Sequence, residues 1–387
     1  MNSPSPRAER PRLLLVGAGH VHLQLLRQRR RFPQAEVMLV DPGGFWHAGV
    51  AAGMLGGQHG ASEGRLDPVR LATHHGVTPI RGRLVSLDPE AKRAHLEDGR
   101  TLAYSLLSLN LGSSSPCPPP SSPGPRVWAI KPIPRLLALR HCLEREFARG
   151  RSPRIVVVGG GASGVEVACQ LRGLARRRGA RAEILLVTRD ERLLEGAPAG
   201  AVRWLMRHLA RREITVRFGV NVGGHAPGGV TFTAADHGWG EDSLQWLAAD
   251  HVVHAAGLAP PEGLERLGLP LIPARGLAVE ETLQSPGSPD VFAAGDCAAL
   301  MHRVLPKLIL HDLHQAAVLA DNLSARLTGG PLTPYVPRQV AVTILDLGDQ
   351  GLAIRGRHWW GGRLALAWKR RLDRRLFDKH WRHQQRP

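Results

Sequence analysis

Residues 12–41 read RLLLVGAGHVHLQLLRQRRRFPQAEVMLVD, and this stretch decides the fold. An apolar run of strand length, residues 13–16, is followed by a glycine turn, by apolar residues at helical spacing and by a second apolar run that ends in Asp41. This order predicts a β-strand, an α-helix and a parallel β-strand. Gly17 allows the sharp turn after the first strand, and Gly19 lets the backbone come close to a diphosphate.

The stretch matches the dinucleotide-binding turn G-x-G-x-x-G at two of three positions, because His22 stands where the third glycine belongs. The first turn of the helix, which includes His20, offers unpaired N–H groups and the positive end of the helix dipole to a diphosphate. Asp41, about 20 residues further on, is placed to accept hydrogen bonds from ribose hydroxyls. We therefore expect a nucleotide site here.

The formal net charge of +18 invites a nucleic-acid reading. Only five of the 51 basic residues are lysine, however, and arginine runs through the whole chain, which indicates a compositional bias rather than a binding face. Four scattered cysteines without a CxxC pair predict neither disulfides nor a metal site. No apolar run reaches the roughly 18 residues of a membrane span, and the first residues lack the apolar core of a signal peptide. We expect a cytoplasmic protein, or one held peripherally on the cytoplasmic face of a membrane.

A second and complete glycine turn lies in residues 154–171, RIVVVGGGASGVEVACQL. Gly159, Gly161 and Gly164 follow an apolar strand and precede a helical pattern, which is the context that the motif requires. The next strand ends ILLVTRD, with Thr188 where an NAD-selective site has an acid. Arg189 beside it is suited to a 2′-phosphate, although a solvated arginine is an equally good interpretation.

Further strand ends extend both predicted sites. The run LLSLNLG ends at Gly112, a strand over residues 251–254 runs towards Gly257, and DVFAAGD ends at Gly295 and Asp296. A carboxylate at the carboxyl end of a strand is well placed to bind the sugar-alcohol hydroxyls of a flavin. A helix over residues 306–330 follows, and Lys307 at its start would help to stabilise negative charge on a reduced ring.

Together, two glycine turns about 140 residues apart and a late AAGD resemble the pyridine nucleotide-disulfide oxidoreductase family. The segments GAGHVHLQLL, AIKPIPRLL and WKRRLDRRLF are similar to the branch of type II NADH dehydrogenases, which in some chains is fused ahead of selenophosphate synthetase. The resemblance implies FAD in the first site and NAD(P)H in the second. It assigns FAD to Gly17, Gly19, His20, Asp41, Gly112, Gly295 and Asp296, and NAD(P)H to Gly159, Gly161, Gly164, Arg189 and Gly257.

The same resemblance implies roles for two more residues. Glu166 matches the glutamate that follows the second glycine turn and would lie near nicotinamide and flavin, and Gln315 is similar to the glutamine of a helix on the quinone side. The loop FWHAGVAAGMLGG lacks the cysteine of the disulfide reductases, and nothing after Cys297 supplies the late cysteine of sulfide:quinone reductases. Without a thiolate, dithiol chemistry is excluded.

The predicted function is therefore hydride transfer from NAD(P)H to FAD and electron transfer onward to a quinone or similar small acceptor. Two alternatives stay open. One is a reductase for a specific small substrate linked to selenium metabolism, and the other is a flavin-binding protein without NAD(P)H turnover. The sequence leaves the oligomeric state undetermined.

The predicted fold class is α/β, with two Rossmann-like FAD- and NAD(P)-binding domains and a short C-terminal α/β extension. We expect a disordered lead-in (1–11), a discontinuous FAD-binding domain (12–125 and 258–330), an NAD(P)H-binding domain (126–257) and an extension (331–387). The tail over residues 355–387 alternates tryptophan and leucine with arginine and lysine, which predicts a basic amphipathic helix. Such a helix fits a membrane interface or a docking place on the core equally well.

Overall fold

The computed structural model describes residues 10–60, 62–119, 124–234, 245–337 and 342–381. Most of the predicted disordered lead-in falls outside these residues. Up to residue 119 the elements are β1 (Arg12–Val16), α1 (His20–Arg27), β2 (Glu36–Asp41), β3 (Phe45–Trp46), α2 (Ala48–Leu55), β4 (Arg65–Leu66), α3 (Pro68–His74), β5 (Thr78–Arg81), β6 (Leu84–Asp88), β7 (Arg93–Leu96), β8 (Thr101–Ala103) and β9 (Leu106–Leu109).

The middle of the chain repeats the strand–helix order. Its elements are β10 (Arg126–Ala129), α4 (Pro134–Ala148), β11 (Arg154–Val158), α5 (Ala162–Arg177), β12 (Glu183–Val187), α6 (Ala199–Arg211), β13 (Ile214–Arg217), β14 (Val220–Ala226), β15 (Gly229–Ala234), β16 (Gln245–Ala248) and β17 (His251–His254). The chain continues with β18 (Leu271–Ile272), β19 (Gly276–Val279), β20 (Gln284–Ser285), β21 (Ser288–Ala293), β22 (Ala298–Leu300), α7 (Ile309–Thr328), β23 (Val342–Asp346), β24 (Gly351–Arg355), β25 (His358–Gly362) and α8 (Arg363–Trp381).

Two sheets carry the architecture. The first has the order β20-β21-β9-β1-β2-β5 and the second the order β10-β17-β11-β12-β13. Within each, the strand before a glycine turn is parallel to both its neighbours. Such strands are apolar on both faces because helices or a second layer cover them, and Leu13, Leu14 and Leu15 are accordingly at most 1% exposed. The expected α/β class with two Rossmann-like units is confirmed.

Smaller sheets complete the molecule. An antiparallel sheet, β14-β15-β16, packs on the second main sheet through Val230 and Phe232. The last sheet, β23-β24-β25, packs on α5 and α6, with Leu345 and Leu352 buried, and α8 packs on this sheet. The predicted C-terminal helix therefore docks on the core along one face, with Ala365 and Leu366 buried. Among the described residues, none of the helices has the length and apolar character needed to cross a membrane.

Candidate active site

The first glycine turn connects β1 to α1. Gly17 has a φ of +86°, and a Cβ there would lie 2.5 Å from the carbonyl oxygen of Asn110. Gly19 caps α1 without a side-chain hydrogen bond, and the first turn of α1, at His20, carries no acid. A helix N-terminus of this kind, without an acid, suits an anion such as a diphosphate.

His22, at the position of the missing glycine, is part of the turn. Its side chain is fully buried, with Nδ1 2.6 Å from the carbonyl oxygen of Gly17 and Nε2 2.8 Å from the hydroxyl of Ser108 on β9. Burial lowers the pKa of His22 to about 4, so the ring is neutral at physiological pH. The ring of His22 therefore connects α1 to the glycine turn and to β9 by hydrogen bonds. A glycine at this position could only pack closely against the turn.

Asn110 is a central residue that the sequence interpretation missed. It directly follows β9, and its side-chain amide donates to the carbonyl of Ala294 at 2.8 Å and accepts from the N–H of His22 at 3.4 Å. A Cβ on Gly19 or on Gly295 would overlap this amide group, so Asn110 explains why both positions are glycine. The available signal was one polar residue at the end of the apolar run LLSLN.

Asp41 ends β2 beside the turn. Its two carboxylate oxygens accept from the backbone N–H groups of Ala18 and Gly43, each at 2.8 Å. Burial raises the pKa of Asp41, and these two hydrogen bonds oppose that effect. Each oxygen retains a second lone pair, and this is the acceptor capacity that a ribose hydroxyl needs.

Asp296 lies at the other end of the same region. Its Oδ2 accepts from the hydroxyl of Ser113 at 2.6 Å and from Nζ of Lys131 at 2.9 Å. Burial alone would raise the pKa of Asp296, but Lys131 and Ser113 hold it below the usual value. Neither Ser113 nor Lys131 was among the predicted residues.

A cleft of about 540 Å³ runs past these groups, from Gly17 and Asp41 through Gly112 to Asp296 and Asp312. This is the size range of cofactor sites in proteins. The glycine cradle, the open helix end and the two carboxylates fit the diphosphate, ribose and sugar-alcohol parts of FAD.

Two residues predicted to be catalytic, Lys307 and Gln315, bind backbone groups in the structure. Nζ of Lys307 donates to the carbonyl oxygens of Asp296 and Arg275. Gln315 is buried on α7, and its Oε1 accepts from the N–H of Gly295 at 2.7 Å. Both side chains therefore fix the segment that carries Asp296.

The second glycine turn, unlike the first, has glycine at all three positions of the motif. Gly159 has a φ of +128°, and a Cβ there would lie 2.7 Å from the carbonyl oxygen of Ala255. A Cβ on Gly164 would overlap the carbonyl oxygen of Gly159, whereas a Cβ on Gly161 would meet no atom within 4 Å. Gly257, with a φ of +78°, follows β17 at the same edge of the sheet. The open space over Gly161 lies where a dinucleotide would approach the end of α5.

The residues after β12 include an acid that the sequence interpretation did not use. Arg189 is 77% exposed and lies 3.6 Å from Asp190. The hydroxyl of Thr188 donates to Oδ2 of Asp190 at 3.0 Å. An NAD-selective site has an acid at the position of Thr188. Asp190 places a carboxylate next to that position.

Glu166 lies on α5 and is partly buried between this helix and the C-terminal extension. Its Oε1 accepts from the N–H of Asp346 at 2.6 Å. Burial raises the pKa of Glu166 to about 7, against the opposing charge of Lys369 from α8. Lys369 also binds Asp373, at 2.9 Å. A partly buried cluster of charged side chains therefore joins α5 to α8.

Aromatic side chains continue this cluster towards the cleft. His47 caps α2, accepting from the N–H of Gly49 at 3.1 Å, and burial followed by the charge of Lys369 lowers its pKa to about 4. The ring of His47 packs edge-on against His20 at 5.2 Å and against Phe377 of α8 at 6.0 Å. The C-terminal helix therefore contacts His47, whose neighbours Trp46 and Ala48 line the cleft.

Within the described residues, one group has the spacing of metal ligands: Cys142, Glu146 and His251. Nδ1 of His251 accepts from the indole N–H of Trp128 at 3.1 Å, so the ring proton lies on Nε2, which is 2.9 Å from Glu146. Arg126 donates to both Cys142 and Glu146. With its proton, Nε2 of His251 has no lone pair to offer a metal ion. The guanidinium of Arg126 already supplies the positive charge beside Glu146.

Comparison with known proteins identifies the family. The family model described as pyridine nucleotide-disulphide oxidoreductase matches residues 11–317. The chain is 27% identical over 291 residues to a NADH dehydrogenase-like protein of Mycobacterium tuberculosis, covering 71% of this chain and 69% of that protein. It is 26% identical over 298 residues to a demethylphylloquinone reductase of Synechocystis, covering 74% and 71%. The solved sulfide:quinone oxidoreductase of Aquifex aeolicus shares the fold, with a TM-score of 0.80 at 18% identity and coverage of 96% and 92%.

The matched region contains both glycine turns and ends within α7, so it spans every cofactor-binding residue named above. The relatives include NADH dehydrogenase-like proteins, as the sequence resemblance implied. The chain therefore belongs to the pyridine nucleotide-disulphide oxidoreductase family, and it is an oxidoreductase that uses FAD and NAD(P)H.

Proposed function

We propose that this enzyme passes a hydride from NAD(P)H to FAD and delivers the electrons to a quinone or a similar small acceptor. The observation that carries the proposal is the absence of cysteine from the first part of the chain. Residues 1–116 contain no cysteine, and His47 caps the helix after β3. Electrons on the flavin therefore have no protein disulfide to reduce there and leave on an external acceptor.

Two of the remaining cysteines, Cys169 and Cys297, are buried. Burial raises the pKa of Cys297 to about 11 and that of Cys169 to about 12, so both are thiols at physiological pH. A thiol proton must be lost before the sulfur becomes a nucleophile.

In this proposal FAD supplies the redox chemistry, and the protein supplies geometry and charge. Gly17, Gly19, His20 and Asp41 hold the diphosphate and ribose of FAD, and Asp296 holds its sugar alcohol. Lys307 and Gln315 position the segment that carries Asp296.

Glu166 is proposed to lie beside the nicotinamide. With a pKa of about 7 and Lys369 as its charged partner, it can exchange a proton near physiological pH at little cost. This is a property that neither an exposed glutamate nor a fully paired one would have.

A quinone acceptor is supported by one relative, which is a demethylphylloquinone reductase. The test is steady-state oxidation of NADH by the purified enzyme with a water-soluble benzoquinone, compared with the Glu166→Gln variant. We expect quinone-dependent turnover in the wild type and a loss of about 100-fold in the variant. Flavin that is reduced by NADH but not reoxidised by quinone would reject the acceptor and favour a specific small substrate. Flavin that NADH does not reduce would favour a binding protein without turnover.

We also propose a peripheral place on the cytoplasmic face of a membrane, through the outward face of α8. Leu364 at the start of α8 is 84% exposed, and Arg371, Arg374 and Arg375 are exposed along the same helix. Trp360, in the preceding strand β25, is 41% exposed. An apolar and basic face of this kind binds anionic lipid. In a flotation assay with anionic vesicles we expect Leu364→Asp to lose binding. Leu271→Asp, an exposed leucine in β18, should keep it, and equal binding of both variants would reject the membrane proposal.

A further inference from the structure

Two histidines face each other where the small sheet β14-β15-β16 meets the second main sheet. His225 lies on β14, and His254 is the last residue of β17. Their Nε2 atoms are 3.4 Å apart, and the two ring planes stand at 90° with their centroids 5.5 Å apart. Two imidazole nitrogens from different layers of the molecule therefore point towards one place.

The strands hold both rings in this arrangement. β17 is paired on both sides within the main sheet, and His254 is 7% exposed. On β14, His225 lies directly opposite Val230 of β15, which is fully buried against the main sheet. Residues opposite each other in an antiparallel pair share one face of the sheet, so His225 also faces inward. His225 is only partly buried, which leaves this place open to water on one side.

The distance between the two nitrogens fits a metal ion better than a hydrogen bond. N–H donors usually lie about 2.7–3.2 Å from their acceptors, which is shorter than the separation found here. Two nitrogens bound to zinc at about 2.0–2.1 Å in a tetrahedron lie about 3.4 Å apart. Adjacent nitrogens in square-planar or octahedral geometry would lie only about 2.9 Å apart at the same bond length. The separation therefore favours Zn²⁺, which prefers tetrahedral sites.

The pair differs from the three-residue group around His251. There a ring proton lies between His251 and Glu146, so the nitrogen has no lone pair to offer. When His225 and His254 each carry the ring proton on Nδ1, the lone pairs of both Nε2 atoms are directed at each other. Two such lone pairs repel each other unless a cation lies between them, and a metal ion removes the repulsion by binding both.

We propose that His225 and His254 bind one Zn²⁺ ion, which joins β14 to the end of β17. Water fills the remaining positions of the tetrahedron from the open side. The role of the ion is structural. The two nitrogens come together only in the folded chain, so zinc binds the folded state more tightly than the unfolded state and stabilises it.

The test measures zinc binding by the flavin-loaded enzyme, purified without a histidine tag and treated with a chelator. Titration with Zn²⁺ against a chromophoric chelator should give one zinc per chain in the wild type. Loss of an outer partner of a metal ligand already lowers affinity roughly 10- to 100-fold, so we expect His225→Gln, which removes a ligand, to lower it about 100-fold. His225→Glu should stay within about tenfold of the wild type, because a glutamate carboxylate has a similar reach and is itself a zinc ligand.

His141→Gln is the matched control, because His141 is exposed on α4 and should bind no structural ion. In thermal unfolding, added zinc should raise the Tm of the wild type and of His225→Glu and leave that of His225→Gln unchanged. If His225→Gln does not fold, His254→Gln takes its place. The proposal is overturned if the wild type binds no zinc, if His225→Gln binds zinc as the wild type does, or if His225→Glu loses zinc together with His225→Gln. Neither measurement uses NADH or an acceptor, so the outcome is independent of the proposed function.

Discussion

The two glycine turns of this chain reach the same geometry by different means. In the second, Gly164 has no side chain, so the carbonyl of Gly159 lies directly against the helix. In the first, the equivalent residue is His22, whose ring bonds to Gly17 and Ser108. A broken motif can therefore mark an intact turn, provided that the larger residue replaces a close approach with hydrogen bonds.

The two units also differ at the carboxyl ends of their second strands. The carboxylate of Asp41 is held by two backbone N–H groups, whereas Thr188 occupies the same register position and leaves the acid to Asp190. The first unit is thus built around a fixed acid and the second around an exposed arginine and a nearby acid. The difference suggests that the first turn holds a resident cofactor and the second a substrate that leaves.

The largest expected effect tests the histidine of the first turn. The pKa of His22 is about 4 in the folded chain and about 6.5 when exposed, so the unfolded chain binds more protons between these values. Stability should therefore fall as pH drops from about 6.5 to 4, with His22 contributing about 3 kcal/mol. We expect His22→Gln to remove that share of the pH dependence in chemical unfolding. His47 and His254 titrate in the same window, so the remaining slope should not vanish. An unchanged slope in the variant would contradict the role of His22.

The next effect tests the missing side chain of the second turn. Gly164→Ala puts a methyl group on the carbonyl of Gly159, so the turn must shift, and we expect hydride transfer from NADH to slow about 100-fold. FAD content should not change, because the first turn is untouched.

Gly161→Ala is the comparison variant. It should unfold like the wild type yet bind NADH weakly, since its methyl occupies only the space reserved for the ligand. Stopped-flow flavin reduction and thermal unfolding separate the two, and normal NADH affinity in Gly161→Ala would refute a nucleotide there.

A smaller effect is expected from the acid of the first unit. Asp41→Ala removes the acceptor of the N–H groups of Ala18 and Gly43, and with it the bond to ribose. We expect FAD affinity to fall about 30-fold, which corresponds to about 2 kcal/mol. Fluorescence titration of the apoprotein with FAD measures this. Retention of FAD at wild-type affinity would place the ribose elsewhere.

The smallest effect concerns the choice of nucleotide. Arg189 is largely exposed, so Arg189→Ala should weaken NADPH by only about fivefold and leave NADH unchanged. Asp190→Ala should have the opposite selectivity, because its carboxylate would bind the free 2′-hydroxyl of NADH. The ratio of kcat/KM for the two nucleotides reports both. If neither variant changes this ratio, another region sets the preference.

The fold was predictable because its signals are local. The strands of residues 13–16 and 37–40 and the turn at Gly17 all lie within 30 residues of sequence. The turn at Gly159 likewise depends only on the apolar run before it and the glycines that follow. The limits of the predicted domains remain a prediction, as do the roles of the predicted site residues.

The residues that the sequence did not indicate act across long separations. Asn110 meets Gly19 and Gly295, and Lys369 meets Glu166, only after the sheets and the C-terminal helix have formed. Asp312, in the first turn of α7, lines the cleft only in the folded chain. Lys307 was expected to face the ring, and its contacts with two carbonyls could be seen only in the folded chain.

The central claim is that one chain holds FAD at the first turn and accepts NAD(P)H at the second. Anaerobic titration of the purified protein with NADH, followed by the visible absorbance of the flavin, tests it most directly. We predict FAD equal in amount to the protein, bleached completely by an equal amount of reduced nucleotide. A colourless protein that does not take up added FAD, or a yellow protein that neither NADH nor NADPH bleaches, would contradict the account.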